Sequence, residues 1–268
     1  ELQCSDTASS SECAHQRWSS IHERINAICA RLGLDPEQLP SVPSTSTSQA
    51  AAPATKASAG SGAPKTVTPG ASPTQQKLER ELIDLGFSEF RFVRAPGDYY
   101  DRELEYRQGV LGAASVDHLC KSIIMENTRC HPCACDEADP FSPKNWADPC
   151  NSRYYIIVVQ YTARLHAEKL KTFIHRLNEG RVGKQFFNMR LAPEAVNDAL
   201  SGYEHNAVTP VAIKTRLPMI ISHQVTALQP DFFWLGAGEV DLKVGTHASE
   251  FVAKYSGLQR VWVADITY

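Results

Sequence analysis

The stretch Tyr154 to Thr162 constrains this chain more than any other. It holds the unbroken apolar run Tyr155-Ile156-Ile157-Val158-Val159. β-Branched and aromatic side chains lose rotamer freedom in a helix and pack well on a pleated surface. Neighbouring strand side chains point to opposite faces, so a run without polar interruption predicts a strand buried on both faces. Helices are predicted at Gln76–Leu85, stopped by Gly86, at Tyr99–Leu111, ending near Gly112, at Ala167–Leu177 and at Pro193–Leu200. In Ala167–Leu177 the residues Leu170, Phe173, Ile174 and Leu177 form the inward stripe. Further strands are predicted at Phe90–Val93, Cys120–Glu126, Val208–Ile213, Met219–Ser222, Phe232–Leu235 and Val240–Val244. Helices alternate with strands at first, and strands then follow one another. That order predicts an α+β domain over residues 75–268, a curved mixed β-sheet or partial barrel with flanking helices.

The first 74 residues read differently. In residues 1–40, Trp18, Ile21, Ile25, Ile28 and Leu32 recur at steps of three and four, which makes one narrow helical seam. Ser9 with Glu12 resembles a capping box, Gly33 is a stop, and Asp35-Pro36 starts a second short helix. A lone helix of this size is marginal in water, so the seam needs its own domain or another protein to pack against. Residues 41–74 are rich in Pro, Ser, Thr, Ala and Gly, with Lys56 and Lys65 as their only charges. They read as a disordered linker averaging roughly 30 Å end to end.

A net charge of -3 over 268 residues gives no global attraction for a polyanion. No apolar run reaches the length of a membrane span. Cys29 and Cys120 sit inside apolar patterns, where a thiol acts as a small hydrophobe, and no secretory segment is visible. These features predict a reducing, cytoplasmic compartment.

Three clusters carry possible chemistry. Lys121 stands at the mouth of the strand Cys120–Glu126. An ammonium there is either a solvated strand-end charge or an anchor for a phosphate or polarised carbonyl. An insertion at about residues 129–151 contains Cys130, Cys133 and Cys135, with Cys150 later. Cys130 and Cys133 have zinc-knuckle spacing, and Cys135 and Cys150 could complete four thiolates around a structural zinc; the other reading is a reduced loop. Finally, Arg164, Lys169, Lys171, Arg176, Arg181, Lys184 and Arg190 face only Glu168 and Glu179 in the same segment. That local excess suits nucleic-acid phosphates, or simply a solvated helix face.

Four blocks carry a family resemblance: VDHLCKSIIMENT (116–128), RYYIIVVQYTARLHAEKLK (153–171), GYEHNAVTPVAIKTRLPMI (202–220) and PDFFWLGAGEVDLKVG (230–245). Over roughly residues 75–255 the chain resembles the YbaK/prolyl-tRNA-synthetase-associated domain family, most of all its eukaryotic stand-alone branch. The resemblance implies a deacylase that hydrolyses mischarged aminoacyl-tRNA, with a pocket for a small aminoacyl group on the terminal adenosine. It assigns Lys121 as the anchor of that pocket. It also implies a glycine–three residues–proline loop, matched here by Asn206, Ala207, Val208, Thr209 and Pro210, with Asn206 in place of glycine. Asn tolerates the left-handed backbone region better than most residues, so the loop can keep its shape. Gly236 and Gly238 match the late glycine pair, while Asp241 and Lys243 read as strand-face residues. His118 and His205 read as structural or solvated. The resemblance implies substrate-assisted chemistry: a ribose hydroxyl helps water attack while backbone amides hold the carbonyl. No cofactor is required. The implied partners are the tRNA acceptor end and, through the N-terminal helix, aminoacyl-tRNA synthetases or a multi-synthetase complex. The departure at Asn206 and the appended helix leave open an alternative, a weakly active or inactive adaptor that binds synthetases.

Overall fold

The computed structural model describes residues 66–268. The helical seam at residues 18–32 and the linker up to residue 65 lie outside the described residues.

The domain begins before the predicted boundary at residue 75. Helix α1 (Pro73–Asp84) opens with proline in its first turn and with Ser72 as its cap, whose hydroxyl accepts from the Gln75 N–H at 3.2 Å. Upstream, the N–H and hydroxyl of Thr68 donate to the Glu79 carboxylate at 2.6 and 2.8 Å. The end of the predicted linker is therefore fastened to the domain, because buried Glu79 supplies acceptors for it.

Strands β1 (Phe90–Arg94), β6 (Phe233–Gly236) and β7 (Leu242–Thr246) form an antiparallel sheet in the order β1-β7-β6. A mixed five-stranded sheet has β2 (Cys120–Asn127), β3 (Tyr154–Gln160), β4 (Met189–Leu191), β5 (Met219–Ser222) and β8 (Val261–Ala264) in the order β4-β2-β3-β5-β8. In it β2 runs antiparallel to both neighbours, while β3, β5 and β8 run parallel. A parallel bridge between Leu119 and Trp234 joins the two sheets. The helices after α1 are α2 (Leu104–Leu111), the single turn α3 (Lys144–Ala147), α4 (Ala167–Leu177), α5 (Glu194–Ser201), the single turn α6 (His223–Thr226) and α7 (Ala248–Tyr255).

The apolar run behaves as its composition requires: every side chain of β3 is buried. Tyr154, Ile156 and Val158 pack with Leu78 and Leu82 of α1 and Phe251 and Tyr255 of α7. Tyr155, Ile157 and Val159 pack with Leu170 and Ile174 of α4. Each large apolar side chain buried this way contributes about 1.5–3 kcal/mol. The alternation of one strand thus holds helices on both faces of the sheet.

Two predicted elements are corrected. Val208–Ile213 is a turn, not a strand. Ala212 takes a φ of 48°, its N–H donates to Glu81 Oε1 at 2.7 Å, and the Val211 N–H turns back to Thr209 Oγ1. Tyr255 and Arg216 converge on the same Glu81 carboxylate, which clamps the turn to α1. The predicted helix Tyr99–Leu111 is broken, because Arg102 and Glu103 are extended between a short 3-10 turn at Tyr99–Asp101 and α2.

Candidate active site

Strand β2 has one incomplete edge. Strand β4 covers it from Met125 to Asn127, and β6 approaches only at Leu119 through the bridge to Trp234. Between them Lys121, Ser122, Ile123 and Ile124 border a cavity of about 450 Å³. The Tyr161 N–H donates to the Leu119 carbonyl at 2.8 Å, and the Ala192 N–H donates to the Ile124 carbonyl at 2.9 Å. Alternation along an antiparallel pair therefore turns the backbone N–H and C=O of Ser122 toward the open edge.

The half-buried Lys121 lines this cavity, with Nζ 5.3 Å from the centre of the Tyr161 ring. Among the described residues no carboxylate lies within ion-pair reach of it. A cation at this distance is attracted to the face of the ring.

The predicted loop meets Lys121 across the cavity, but only part of it reaches the space. Asn206 and Val208 line the cavity, whereas Ala207, Thr209 and Pro210 are buried and do not. Asn206 takes a φ of 65°, the left-handed conformation that a glycine would supply. The Ala207 N–H is already donated to the Glu204 carbonyl at 3.0 Å, and Pro210 has no N–H. The N–H groups of Asn206 and Val208 have no acceptor among the described residues and are the loop's available donors.

The late glycines shape this wall in two ways. Gly236 lines the cavity, and a Cβ there would come within 3.1 Å of the Val208 carbonyl and 3.4 Å of the Ala207 carbonyl. Its missing side chain lets the loop lie against β6. Gly238 stands behind the wall, donates its N–H to the Ala207 carbonyl at 2.9 Å, and has a φ of 80°. A Cβ there would lie 2.7 Å from Tyr203.

Several residues of the site escape sequence reasoning. Tyr100 lines the cavity, and its hydroxyl donates to the Asn206 carbonyl at 2.8 Å. Its ring is flanked by Lys243 Nζ at 4.8 Å and the Arg107 guanidinium at 5.5 Å. Arg107 Nη2 also donates to the Tyr100 carbonyl at 2.8 Å. Lys243 is no exposed strand-face residue: it is 3% exposed, with Nζ donating to the Val240 carbonyl at 2.6 Å. Burial pushes its pKa down to about 8, against a smaller opposing pull from Asp241. Asp241 itself pairs with Arg94 at 2.8 Å. At the cavity mouth stand Leu191, Glu194 and His205, all exposed. His118 is buried elsewhere, with Nδ1 on Ser115 Oγ and Nε2 on the Pro230 carbonyl, so both ring nitrogens are committed.

None of the seven basic residues predicted for nucleic-acid contact lines the cavity. Lys169 pairs with Asp265 at 2.9 Å, Lys171 with Glu168 at 3.4 Å and Arg181 with Asp148 at 3.3 Å. Arg164 lies over the Tyr268 ring. Arg164, Arg176, Lys184 and Arg190 are exposed and have no carboxylate partner among the described residues. Arg190 directly precedes Leu191 and Ala192, which do line the cavity.

The structure places the four cysteines of the insertion as follows. Cys130 and Cys135 form a disulfide, their Cα atoms 6.0 Å apart and so within bridging reach. Cys133 is exposed with its Sγ 2.8 Å from His131 Nδ1, and Cys150 is a separate, half-buried thiol whose pKa burial raises. Among the described residues no group of three His, Cys, Asp or Glu side chains is placed to hold a metal. Among the same residues no helix is long and apolar enough to cross a membrane.

No protein-family model matches the sequence, and no curated protein matches it either. Solved structures do. One is described as a candidate trans-editing enzyme for prolyl tRNA synthetase; it has a TM-score of 0.53 and 18% identity, over 74% of this chain and 99% of that one. A scaffold protein used for computational epitope grafting matches with a TM-score of 0.53 and 17% identity, over 74% and 99%. A protein described only as hypothetical matches with a TM-score of 0.50 and 18% identity, over 72% and 99%. The chain has the α+β fold of these proteins, a mixed sheet with flanking helices, the trans-editing protein among them.

Proposed function

We propose that this chain is a trans-editing hydrolase, which removes a small amino acid from the terminal adenosine of a mischarged tRNA. The convergence of Lys121, Asn206, Val208 and Gly236 on one cavity carries this reading, because residues far apart in sequence meet there as the family resemblance implies. Its volume suits a small acyl group with part of a nucleoside. The fold shared with a protein described as a trans-editing enzyme adds to it.

Hydrolysis adds water across the ester: the water oxygen bonds to the carbonyl carbon, the acyl–oxygen bond breaks, and the ribose oxygen takes the proton. Lys121 positions the ester and the terminal phosphate. The N–H groups of Asn206 and Val208 point their dipoles at the carbonyl oxygen as it gains charge. A neighbouring ribose hydroxyl orients the water, which removes the need for a protein base. Arg164, Arg176, Lys184 and Arg190, exposed and without a carboxylate partner among the described residues, contact acceptor-stem phosphates in this reading.

The test is a panel of alanyl-, cysteinyl- and seryl-tRNAs with wild type and Lys121→Ala. Hydrolysis of at least one ester, reduced on the order of 100-fold in the variant, is expected. Unchanged hydrolysis in the variant would remove Lys121 from the mechanism. If wild type hydrolyses none of them, the hydrolase reading fails.

A further inference from the structure

Lys121 has a fixed neighbour across the strand pair. It lies opposite Val159 in the register of β2 with β3. Two residues beyond Val159, the Tyr161 N–H donates to the Leu119 carbonyl at 2.8 Å, so the antiparallel register continues past the end of β3. Strand residues two apart share a face, which makes Tyr161 the diagonal neighbour of Lys121. Aromatic and long side chains reach each other from such positions. The register therefore accounts for the 5.3 Å between Lys121 Nζ and the centre of the Tyr161 ring.

The ring is held in turn. It packs against the buried cluster of Tyr99, Leu111, Leu119 and Trp234. The Arg107 guanidinium lies 5.7 Å from its centre, and Arg107 is tied by Nε to the Arg102 carbonyl at 2.9 Å and by Nη2 to the Tyr100 carbonyl at 2.8 Å. Lys121 and Tyr161 both line the cavity. A lysine stem with free rotation loses entropy when its ammonium is held in one place. A carboxylate would hold it, but would also put an anion where the ligand's own anion must sit. The ring attracts the ammonium through the quadrupole of its face and brings no net charge.

Building on the deacylase reading, we propose that Tyr161 is a positioning residue for Lys121. Its ring, not its hydroxyl, keeps the ammonium at the cavity, where the substrate's ester and terminal phosphate meet it. Tyr161 acts only through Lys121: without the ammonium, the ring has nothing to position. Loss of a cation–ring contact at a half-buried site corresponds to about a three- to tenfold change in rate.

Single-turnover deacylation by the full chain tests this, on whichever of the seryl-, cysteinyl- and alanyl-esters wild type hydrolyses fastest. The variants are Tyr161→Phe, Tyr161→Leu, Lys121→Ala and the double variant of Tyr161→Leu with Lys121→Ala. Tyr161→Phe keeps the ring and should stay within about twofold of wild type. Tyr161→Leu should lose about three- to tenfold, with no further loss when Lys121→Ala is already present. A merely structural role would lower the rate by the same factor in both backgrounds. Phenylalanines with one, two and three ring fluorines at position 161 preserve the shape of the side chain while weakening the negative face of the ring, and the rate should fall stepwise with fluorine number. Equal rates for Tyr161→Phe and Tyr161→Leu, equal losses with and without Lys121, or a rate indifferent to fluorine overturns the positioning role and leaves the deacylase reading standing. A Lys121→Ala rate equal to wild type removes Lys121 from the mechanism and Tyr161 with it. Failure of wild type to hydrolyse any of the three esters overturns both readings.

Discussion

Replacing Lys243 with methionine probes the support behind the cavity. Lys243 Nζ lies 5.1 Å from the Tyr99 ring and 4.8 Å from the Tyr100 ring, and burial lowers its pKa from 10.5 to about 8. At about 1.4 kcal/mol per pH unit, keeping this lysine charged inside the fold costs about 3 kcal/mol relative to the unfolded chain. The sign follows from proton counting. The folded pKa is the lower one, so between about pH 8 and 10.5 the unfolded chain binds more protons, and stability rises with pH. Below pH 8 the full penalty is present. From pH 7 to 9.5 the group contributes a rise of about 2 kcal/mol. Tyr99 and Tyr100 stay protonated across that window, because burial raises both hydroxyls far above it. Methionine matches the length of the lysine stem and carries no charge, although it forfeits the ring contacts and the bond to the Val240 carbonyl. Denaturant unfolding of wild type and Lys243→Met at pH 7 and 9.5 reads the effect. The variant's stability relative to wild type should be about 2 kcal/mol more favourable at pH 7 than at pH 9.5. A difference that does not change with pH would refute a desolvated cation at this place.

Two further outcomes concern the loop across from Lys121. Tyr100→Phe keeps the ring between Arg107 and Lys243 but removes the bond to the Asn206 carbonyl. Steady-state deacylation should show a lower kcat with KM little changed, alongside a stability loss of about 0.5–1.5 kcal/mol; equal activity would show that the bond does not position the loop. At Asn206, whose φ is 65°, glycine should be accepted, whereas valine should lower stability by about 1–2 kcal/mol in thermal unfolding. Equal midpoints for Asn206→Gly and Asn206→Val would mean the left-handed conformation is not required.

What the sequence discloses and what it hides divide along chain distance. The run Tyr155 to Val159 reads as a strand buried on both faces because that depends on residue types in one stretch, and α1 and α4 read from apolar spacing for the same reason. The break at Arg102–Glu103 and the turn at Ala212 do not read this way. Val208–Ile213 has the apolar, β-branched makeup of a strand, but Glu81, more than a hundred residues upstream, takes the Ala212 N–H and bends the segment. The reading also stops short of α7 and β8, although Val261-Trp262-Val263 is β-forming, because the matched blocks end before them. At the site, Lys121 and Asn206 could be singled out from local pattern and resemblance, yet neither reveals its surroundings. Lys243 reads as an ordinary strand-face lysine until β7 brings it beneath Tyr100. Ser122 reads as a small residue in a strand until β4 and β6 leave its edge uncovered. Lys243 gets its lowered pKa from burial without an ion-pair partner among the described residues. A missing partner has no signature in the sequence, which is why the surroundings of such a buried group are the last thing to be legible.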